Sequence, residues 1–534
     1  MEESKRVGEL VSILAKYGLA DGLKLNQVRW INTHLKKHKS NYEFSTEPKN
    51  VRIRMALTEM GTTFVKLGQF LSVREDLIGR DLAKELSKLQ TKSKEDSSGY
   101  IHVVLERHHL SDKFSEFKID PIASASIGQV HVGRLHTGEE VIIKIRHEGI
   151  VERVNEDLKI LNNFVNLGDR IVPSLKFLNP KRLFIEFEYS LRDELNLNKE
   201  LSNLLRFRVD FKNHKEVVFP IGYEAYSNDE VLVMSRVSGF DLNNSKIDEL
   251  DIKLKKSLAM SGANMYMDMI FKNNFYHADP HPGNLMITED HKLGVIDCGM
   301  VGRLDHKSKD IIENLIMAFL NEDLDSIKDL ILDLGTVPQG IDEEAFAEDI
   351  ELFINQYLGS KIKDIDINGC IEKATEIIHN YKIVLPSSVS MLMKTLMLLE
   401  GTSKVLYTDF DIFEILASYK NKLIYQKVNP KSLIKSFGKK LFEWERIADQ
   451  LPKLILKLIK NADQEKFVIK LEHENINSAS LLLVKGIIAA ALIVGGAMMV
   501  STRIGPLVWD ISIIGGVFFI GAMLLFYKAF KQRK

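Results

Sequence analysis

Three short motifs, in a fixed order along the 534-residue chain, restrict its fold more than any other feature. The first is "VIIK", which ends at Lys144, and the second is "HADPHPGN", from His277 to Asn284. The third is "IDCG", in which Asp297 ends an apolar run. Magnesium binds carboxylate and amide oxygens, commonly beside phosphate groups. A strand lysine followed by two oxygen donors therefore indicates a site for a metal and a phosphorylated ligand.

Protein kinases arrange this chemistry as a lysine in V-A-I-K, then H-R-D-x-x-x-x-N, then D-F-G. Here His277, Asp279 and Asn284 reproduce the second spacing, and Asp297 opens a D-C-G triplet. Each motif alone is weak, because Asp279 and Asp297 could be turn residues and Asn284 a cap. Their joint order favours the kinase-like interpretation. We assign His277 to holding the loop rather than to chemistry.

Two kinase features are missing. The glycine-rich loop that covers the phosphates of kinases is replaced by "IASASIG", from Ile122 to Gly128. Alanine and serine adopt positive φ less readily than glycine does. After Asp297 the residues "MVGRLDHKSKD" run straight into a predicted helix, which leaves little room for a shelf that holds a peptide. A conventional protein kinase is therefore the least favoured alternative.

Charge and cysteine content exclude other classes. The net charge of −1 gives no argument for nucleic-acid binding. The two cysteines, Cys298 and Cys370, are too few for a disulfide framework or a cysteine-rich zinc site, and they fit a reducing compartment. The first residues lack a long apolar core and a small-residue cleavage site, so we expect no secretory signal.

Two apolar runs near the C-terminus begin at Ser480 and Leu507. Each has about 20 residues, the length that crosses a hydrocarbon core of roughly 30 Å as a helix. They predict a transmembrane hairpin, with the basic end "YKAFKQRK" in the cytoplasm. The alternative is a buried helical hairpin. The preceding stretch, residues 426–478, mixes basic and apolar residues and predicts either a membrane-surface helix or one docked onto the core.

Four further segments carry a family resemblance. They are "KLGQ" (Lys66 to Gln69) with "FLSVREDL" after it, "PIASASIGQVHVGRL", "ELNLNKELSN" (Glu194 to Asn203) and "LPSSVSMLMKTLMLLEG" (Leu385 to Gly401). With the kinase-like motifs they resemble the UbiB (aarF-domain) family of atypical kinase-like proteins, over about residues 50 to 420. The two-helix tail resembles the bacterial members.

The resemblance implies an α+β fold, bilobal and protein-kinase-like, with a helical N-terminal extension and a C-terminal two-helix transmembrane hairpin. The expected parts are N-terminal amphipathic helices (1–50), a family-specific extension with the KLGQ motif (51–115), the N-lobe (116–240), the C-lobe (241–425), an amphipathic linker (426–478) and the hairpin (479–528). The expected location is the inner (cytoplasmic) membrane, with the kinase-like domain in the cytoplasm.

The resemblance also assigns roles in nucleotide binding. Lys144 would pair with Glu200 and contact the phosphates of ATP or ADP, Asn284 and Asp297 would bind Mg²⁺, and Asp279 would lie where a kinase base lies. The loop over the nucleotide would consist of Ala123, Ser124, Ala125 and Ser126. The segment that links the lobes and receives the adenine ring would run from Met234 to Val237.

The KLGQ helix has a regulatory assignment. Lys66 and Gln69 would lie over the active site and meet Glu194. The helix that carries them would then block access for a peptide. A catalytic role is also implied for Lys66. The family has an aspartate where this chain has Asn196, so one contact to Lys66 would be weaker or replaced by a hydrogen bond. Without the resemblance, Lys66 would be only a lysine on an amphipathic helix.

The leading functional hypothesis is an ATPase or small-molecule or lipid kinase in isoprenoid-quinone (ubiquinone-type) biosynthesis. Its expected partners are a membrane lipid or prenyl-quinone precursor and enzymes of quinone biosynthesis, with a homodimer left open and no nucleic acid. The alternative is a non-catalytic, nucleotide-dependent scaffold or lipid-handling protein.

Overall fold

The computed structural model describes residues 2–19, 47–89, 95–171, 179–321, 323–358 and 366–412, and some isolated positions after them. By its backbone contacts the chain divides into two units, Met1–Asn429 and Pro430–Lys534. All the residues that the sequence analysis assigns to the site lie in the first unit.

The described part of the first unit mixes helices and strands, which confirms the α+β prediction. The helices are α1 (Glu2–Lys16), α2 (Lys49–Met60), α3 (Thr62–Ser72), α4 (Glu75–Ile78), α5 (Arg80–Leu86), α6 (Ser98–Arg107), α7 (Ile150–Ile171), α8 (Pro180–Leu195), α9 (Leu197–Asp210), α10 (Ile252–Met267), α11 (His306–Leu320), α12 (Leu324–Leu334), α13 (Glu343–Leu358), α14 (Ile367–Asn380) and α15 (Ser387–Leu406). The strands are β1 (Phe114–Phe117), β2 (Ala123–Ser124), β3 (Gly128–Leu135), β4 (Glu140–Arg146), β5 (Val217–Val218), β6 (Val231–Ser235), β7 (Gly239–Asp241), β8 (Phe275–His277), β9 (Leu285–Thr288), β10 (Leu293–Val295) and β11 (Val301–Arg303).

The N-lobe is built on an antiparallel sheet in the order β1-β3-β4-β6, with β2 paired to β3. The β3–β4 hairpin turns at Gly138, whose φ of 91° favours glycine. Along β4, Val141, Ile143 and Ile145 are fully buried. Because successive side chains of a strand point to opposite faces, Lys144 lies on the face away from this core.

Helix α6 packs against the apolar face of the N-lobe sheet. Its residues Ile101 and Val104 are fully buried in one cluster with Val141 and Ile143. The KLGQ helix α3 instead packs in a separate cluster with α5, through Val65 and neighbouring leucines. The segment that we assigned to the extension is thus divided among at least three clusters, because α2 packs with α1 in another one.

The C-lobe combines α10 to α15 with a second sheet in the order β5-β10-β9-β7 and a β8–β11 pair. Helix α10 ends at Met267 and continues as a five-residue π turn, Asp268–Lys272, that leads into β8. Strands β9 and β10 pair in antiparallel fashion, with Leu285 opposite Val295. These short strands place the two polar motifs at one end of the sheet.

The extension is fixed to the C-lobe by a buried ion pair. Arg74 donates from Nε and Nη2 to the two carboxylate oxygens of Asp76, at 3.0 and 2.9 Å. The two residues are 2% and 3% exposed. Asp76 also accepts from the backbone N–H of Leu385 at 3.1 Å, and Arg74 donates to the Ser387 hydroxyl at 2.9 Å. The residues "VRED" of the extension are therefore docking residues for the start of α15.

The second unit is described at a few positions. Leu507–Val508 (β12) and Ile511–Ser512 (β13) form a short antiparallel pair. The prediction of a helix that starts at Leu507 is wrong for these four residues, where β-branched Val508 and Ile511 suit a strand. Over the part of the chain that the structure describes, no helix has the length and apolar composition to span a membrane. Positions 492–494, 497, 518, 520 and 523 of the predicted hairpin are helical. The remaining residues of the hairpin, and the whole of the predicted linker, lie outside the described residues.

The Arg74–Asp76 pair gives a stability prediction. Replacing Asp76→Ala leaves the Arg74 charge buried without its main partner, which costs about 3–5 kcal/mol of unfolding free energy. As a control, Glu372→Gln removes the more exposed ion pair to Arg80, whose side chain is 48% exposed, and costs less than about 1 kcal/mol. Chemical denaturation followed by fluorescence measures both values. Equal losses in the two variants would contradict the assignment.

Candidate functional site

Three charged side chains from both lobes meet at Lys144. Its ammonium on β4 donates to Glu200 Oε1 on α9 at 2.5 Å and to Asp297 Oδ2 after β10 at 2.9 Å. Asp297 Oδ1 accepts from the backbone N–H of Gly299 at 2.9 Å. The pairing of Lys144 with Glu200 that the resemblance implied is therefore present, and Asp297 joins it.

Burial and charge oppose each other in this cluster. Burial alone would lower the pKa of Lys144, but the charges of Asp297 and Glu200 outweigh it and raise that pKa above its ordinary value. Partial burial would raise the pKa of Asp297, and the charge of Lys144 reverses this and holds it below the ordinary range. Burial raises the pKa of Glu200, and the neighbouring Asp297 adds to the effect. Lys144 is thus cationic and Asp297 anionic at neutral pH.

Helix α9 is fixed to the D-C-G segment by an asparagine. Asn203 Nδ2 donates to the carbonyl of Cys298 at 3.0 Å, and Asn203 is 8% exposed. Glu200 lies one turn earlier on the same helix, so both side chains face this segment. The bond sets the distance between the helix of Glu200 and the backbone that carries Asp297.

Asp279 and Asn284 form the other half of the site. Asn284 Nδ2 donates to the carboxylate of Asp279 at 2.9 Å and to its backbone carbonyl at 3.1 Å. The carbonyl of Asn284 accepts from the N–H of Ile296 at 3.1 Å. This bond extends the β9–β10 ladder and places Asn284 beside Asp297 at the same end of the sheet.

These oxygen atoms suit a magnesium ion. Mg²⁺ commonly takes one or two protein ligands together with phosphate oxygens and water. Asp297 supplies an ionised carboxylate, and the amide oxygen of Asn284 is turned away from Asp279 because the amide nitrogen faces it. Lys144, within 2.9 Å of Asp297, could neutralise phosphate charge beside the metal. The residues present fit the Mg²⁺–nucleotide site that the sequence predicts.

His277 has a structural role, as predicted. Its Nε2 lies 2.7 Å from the carbonyl of Asp297, which only accepts, so Nε2 carries the proton. Its Nδ1 then accepts from the hydroxyl of Tyr266 at 2.9 Å. Burial lowers the pKa of His277 and outweighs the attraction of Asp279 and Asp297. The neutral ring therefore ties α10 to the D-C-G backbone.

The alanine-rich loop lies two strands from the lysine. Ala123 on β2 is opposite Val130, and Val130 is opposite Lys144 on β4. The loop turns through a bond from the N–H of Ala125 to the carbonyl of Gly128 at 2.9 Å. A Cβ on Gly128 would lie 2.3 Å from the carbonyl oxygen of Ile145, so glycine is required there.

The other two residues of this loop, Ser124 and Ser126, are both partly exposed, so their hydroxyls can reach solvent or a ligand. In the segment between the lobes, Met234 is buried on β6, whereas Val237 follows the strand and is partly exposed beside Gly294. Their predicted contacts with adenine stay predictions.

The KLGQ helix agrees with the sequence only in part. Lys66 forms the expected ion pair with Glu194 at the end of α8. Gln69 does not meet Glu194, because its amide nitrogen donates to the carbonyl of Leu89 inside the extension at 2.9 Å. Asn196 accepts from the N–H of Asn198 at 3.0 Å and caps α9, so its oxygen serves the helix rather than Lys66.

Three family models match the chain. They are the ABC1 atypical kinase-like domain over residues 88–331, the UbiB helical domain over 350–411 and the ABC1/UbiB kinase-like C-terminal domain over 470–530. The fold and the site therefore define an atypical kinase-like protein. The three matches together cover more than half of the sequence, and the chain belongs to the UbiB (aarF-domain) family.

Known proteins are similar along nearly the whole length. The chain is 28% identical over 474 residues to the "Probable protein kinase UbiB" of Vibrio vulnificus strain YJ016, which covers 86% of each chain. It is 29% identical over 542 residues to an uncharacterized protein in the hydrogenase 1 5′ region of Clostridium pasteurianum, covering 98% of this chain and 97% of the relative. Among solved structures, the complex of Rv3197 with erythromycin from Mycobacterium tuberculosis is similar with a TM-score of 0.44 and 20% identity, covering 75% of this chain and 98% of that chain.

Sequence reasoning missed several residues that support the site. Asn203 lies inside a quoted motif but received no role, and Tyr266 lies on a helix with no motif. An asparagine just before a helix is a capping signal, so the role of Asn196 could have been predicted. The partner of Tyr266 is eleven residues away on another element. No pattern in the sequence reveals that contact.

The Tyr266–His277 bond gives a second prediction. Tyr266→Phe leaves Nδ1 of the buried His277 without a donor, which costs about 1–3 kcal/mol of unfolding free energy. The matched control is Tyr226→Phe in the N-lobe, at a partly exposed residue, for which the loss stays below about 0.5 kcal/mol. Denaturation curves of both variants test this. A Tyr266→Phe variant as stable as the wild type would exclude the proposed tautomer.

Proposed function

We propose that this protein binds ATP or ADP with Mg²⁺ and turns over ATP as an atypical kinase or ATPase. The observation that carries the proposal is the meeting of Lys144, Glu200 and Asp297 beside the Asp279–Asn284 pair. Phosphoryl transfer asks mainly for positioning and charge neutralisation. A cation, an anionic metal ligand and a second carboxylate in direct contact with the cation supply these.

The proposal gives each residue a role in this chemistry. Lys144 binds phosphate oxygens while Glu200 holds its ammonium. Asn284 and Asp297 ligate Mg²⁺, which supplies charge stabilisation when bound. Asp279 accepts the proton of the attacking hydroxyl or orients a water. When the nucleotide binds, the Lys144 ammonium would donate to the phosphate oxygens as well as to the Asp297 carboxylate.

A peptide substrate is disfavoured by two features. Helix α11 begins at His306, capped by Asp305, so few residues separate it from Asp297. The short strand β11 lies between Asp297 and this helix, so the chain does not run straight into it, but the connection is short. The extension also binds the N-lobe through Lys66 and Glu194 and the C-lobe through Arg74 and Asp76. We therefore favour a small molecule, a lipid or water as the acceptor.

Quinone biosynthesis is the proposed setting. The support is membership of the UbiB family and the apolar run from Ser480, which would bring the kinase-like domain to a membrane where prenyl-quinone precursors dissolve. The partner is then a membrane lipid or prenyl-quinone precursor, with enzymes of that biosynthesis nearby. A nucleotide-dependent scaffold is the second candidate, because Lys144 and Asn284 are held by carboxylates of the protein itself.

ATP turnover tests the proposal. Phosphate release by the full chain is measured with and without vesicles that contain a prenyl-quinone precursor. We expect turnover that depends on Mg²⁺ and rises with the precursor. Lys144→Ala and Asp297→Asn each lose at least about 100-fold, because each removes a charge at the transferred phosphate. The control is Lys292→Ala, which removes an exposed ion pair with Asp290 in the turn between β9 and β10. This variant retains wild-type turnover.

Nucleotide binding, compared with turnover, separates the enzyme from the nucleotide-dependent scaffold. Mg²⁺-dependent thermal stabilisation by ATP in the wild type, absent in Asp297→Asn, supports the site. Binding without turnover above the Asp297→Asn background leaves the scaffold as the function. Failure of any Mg²⁺–nucleotide to stabilise the protein contradicts both. Phosphorylation of a generic peptide in trans would restore the conventional kinase.

A further inference from the structure

Helix α15 contacts the loop between β8 and β9, which carries Asp279, at two points. The hydroxyl of Thr395 lies 3.1 Å from the carbonyl of Ala278, and that of Thr402 lies 2.7 Å from the carbonyl of Pro280. These two carbonyls belong to the residues on either side of Asp279. The two threonines are seven residues apart, which is two helical turns, so they lie on one face of the helix.

Both hydroxyls are fully enclosed. Thr395 is 0% and Thr402 is 4% exposed, and Ala278 is also buried. Ala278 and Pro280 lie between β8 and a short 3₁₀ turn, Pro282–Asn284, so their carbonyls depend on partners outside a ladder. Thr395 also lies 2.8 Å from the carbonyl of Met391 in its own helix, whereas Thr402 bonds Pro280. Thr402 is therefore the more specific contact.

The other end of α15 is anchored independently. Its first turn meets the Arg74–Asp76 pair of the extension through Ser387 and Ser390, at 2.9 and 3.3 Å. A helix fixed at its start, with two donors further along one face, is a rigid reference for the loop that it contacts. A shift of about 1 Å in a reacting group can lower a rate 100-fold.

We propose that Thr395 and Thr402 are positioning residues that hold the backbone on both sides of Asp279 and so orient its carboxylate. The proposal rests on the nucleotide turnover proposed above. It predicts an effect on kcat rather than on nucleotide affinity, because neither threonine belongs to the cluster of Lys144, Asn284 and Asp297. A threonine that is buried for stability alone would show no such separation.

The experiment compares threonine-to-valine variants, which keep the shape and remove the hydroxyl. Thr402→Val and Thr395→Val lower kcat about 10- to 100-fold, and KM for ATP changes less than about 2-fold. Thr402→Ser keeps the donor and restores kcat. The control is Thr375→Val, since Thr375 is also buried, at 7% exposure, but its hydroxyl bonds the carbonyl of Ile371 in its own helix at 2.7 Å. That variant retains wild-type kcat.

Amide hydrogen exchange over residues 275–285, which include the loop between β8 and β9, gives a readout that does not need turnover. Thr402→Val accelerates exchange there, and Thr402→Ser and Thr375→Val do not. If the wild type turns over ATP and Thr402→Val matches it in kcat and in exchange, the positioning role is overturned. If the wild type shows no turnover above Asp297→Asn, the proposed function fails, and the exchange comparison alone decides whether the threonines hold the loop.

Discussion

The structure depends on one shared ammonium group. Lys144 joins the N-lobe sheet to Glu200 on α9 and to Asp297 at the end of a C-lobe strand. These three groups are stable together only while all are present, because removing one partner leaves a charge in a site of low dielectric. The cluster therefore sets the relation between the two lobes, and it also concentrates the charges that a metal–phosphate ligand would use.

Around that cluster, neutral hydrogen bonds fix the backbone. His277 bonds the carbonyl of Asp297, Asn203 bonds the carbonyl of Cys298, and Thr402 bonds the carbonyl of Pro280. Each donor comes from a different element, and each acceptor belongs to loop backbone that no strand ladder satisfies. The backbone that carries the charged side chains is thus held in place, while the Asp297 side chain, 44% exposed, stays accessible. This division between rigid support and accessible charge is what phosphoryl transfer requires.

The sequence predicted the site better than its surroundings. The pairing of Lys144 with Glu200 and the strand pair that carries Asn284 and Asp297 were predictable, since both follow from motifs on regular elements. The contact of Gln69 was predicted wrongly, because the amide bonds Leu89 within its own extension. The buried face of α15 could not be predicted, since its many apolar residues give no single helical stripe and the partners lie more than 100 residues away.

The sequence by itself determined the chemistry: an amine, two carboxylates and an amide, in an order and spacing that suits a nucleotide with magnesium. It also determined the family, because several motifs occur together on the right elements. Only the tertiary structure decided which groups touch. Hydrogen bonds between distant segments depend on how helices dock, and docking is governed by shape and burial summed over many side chains rather than by any local pattern.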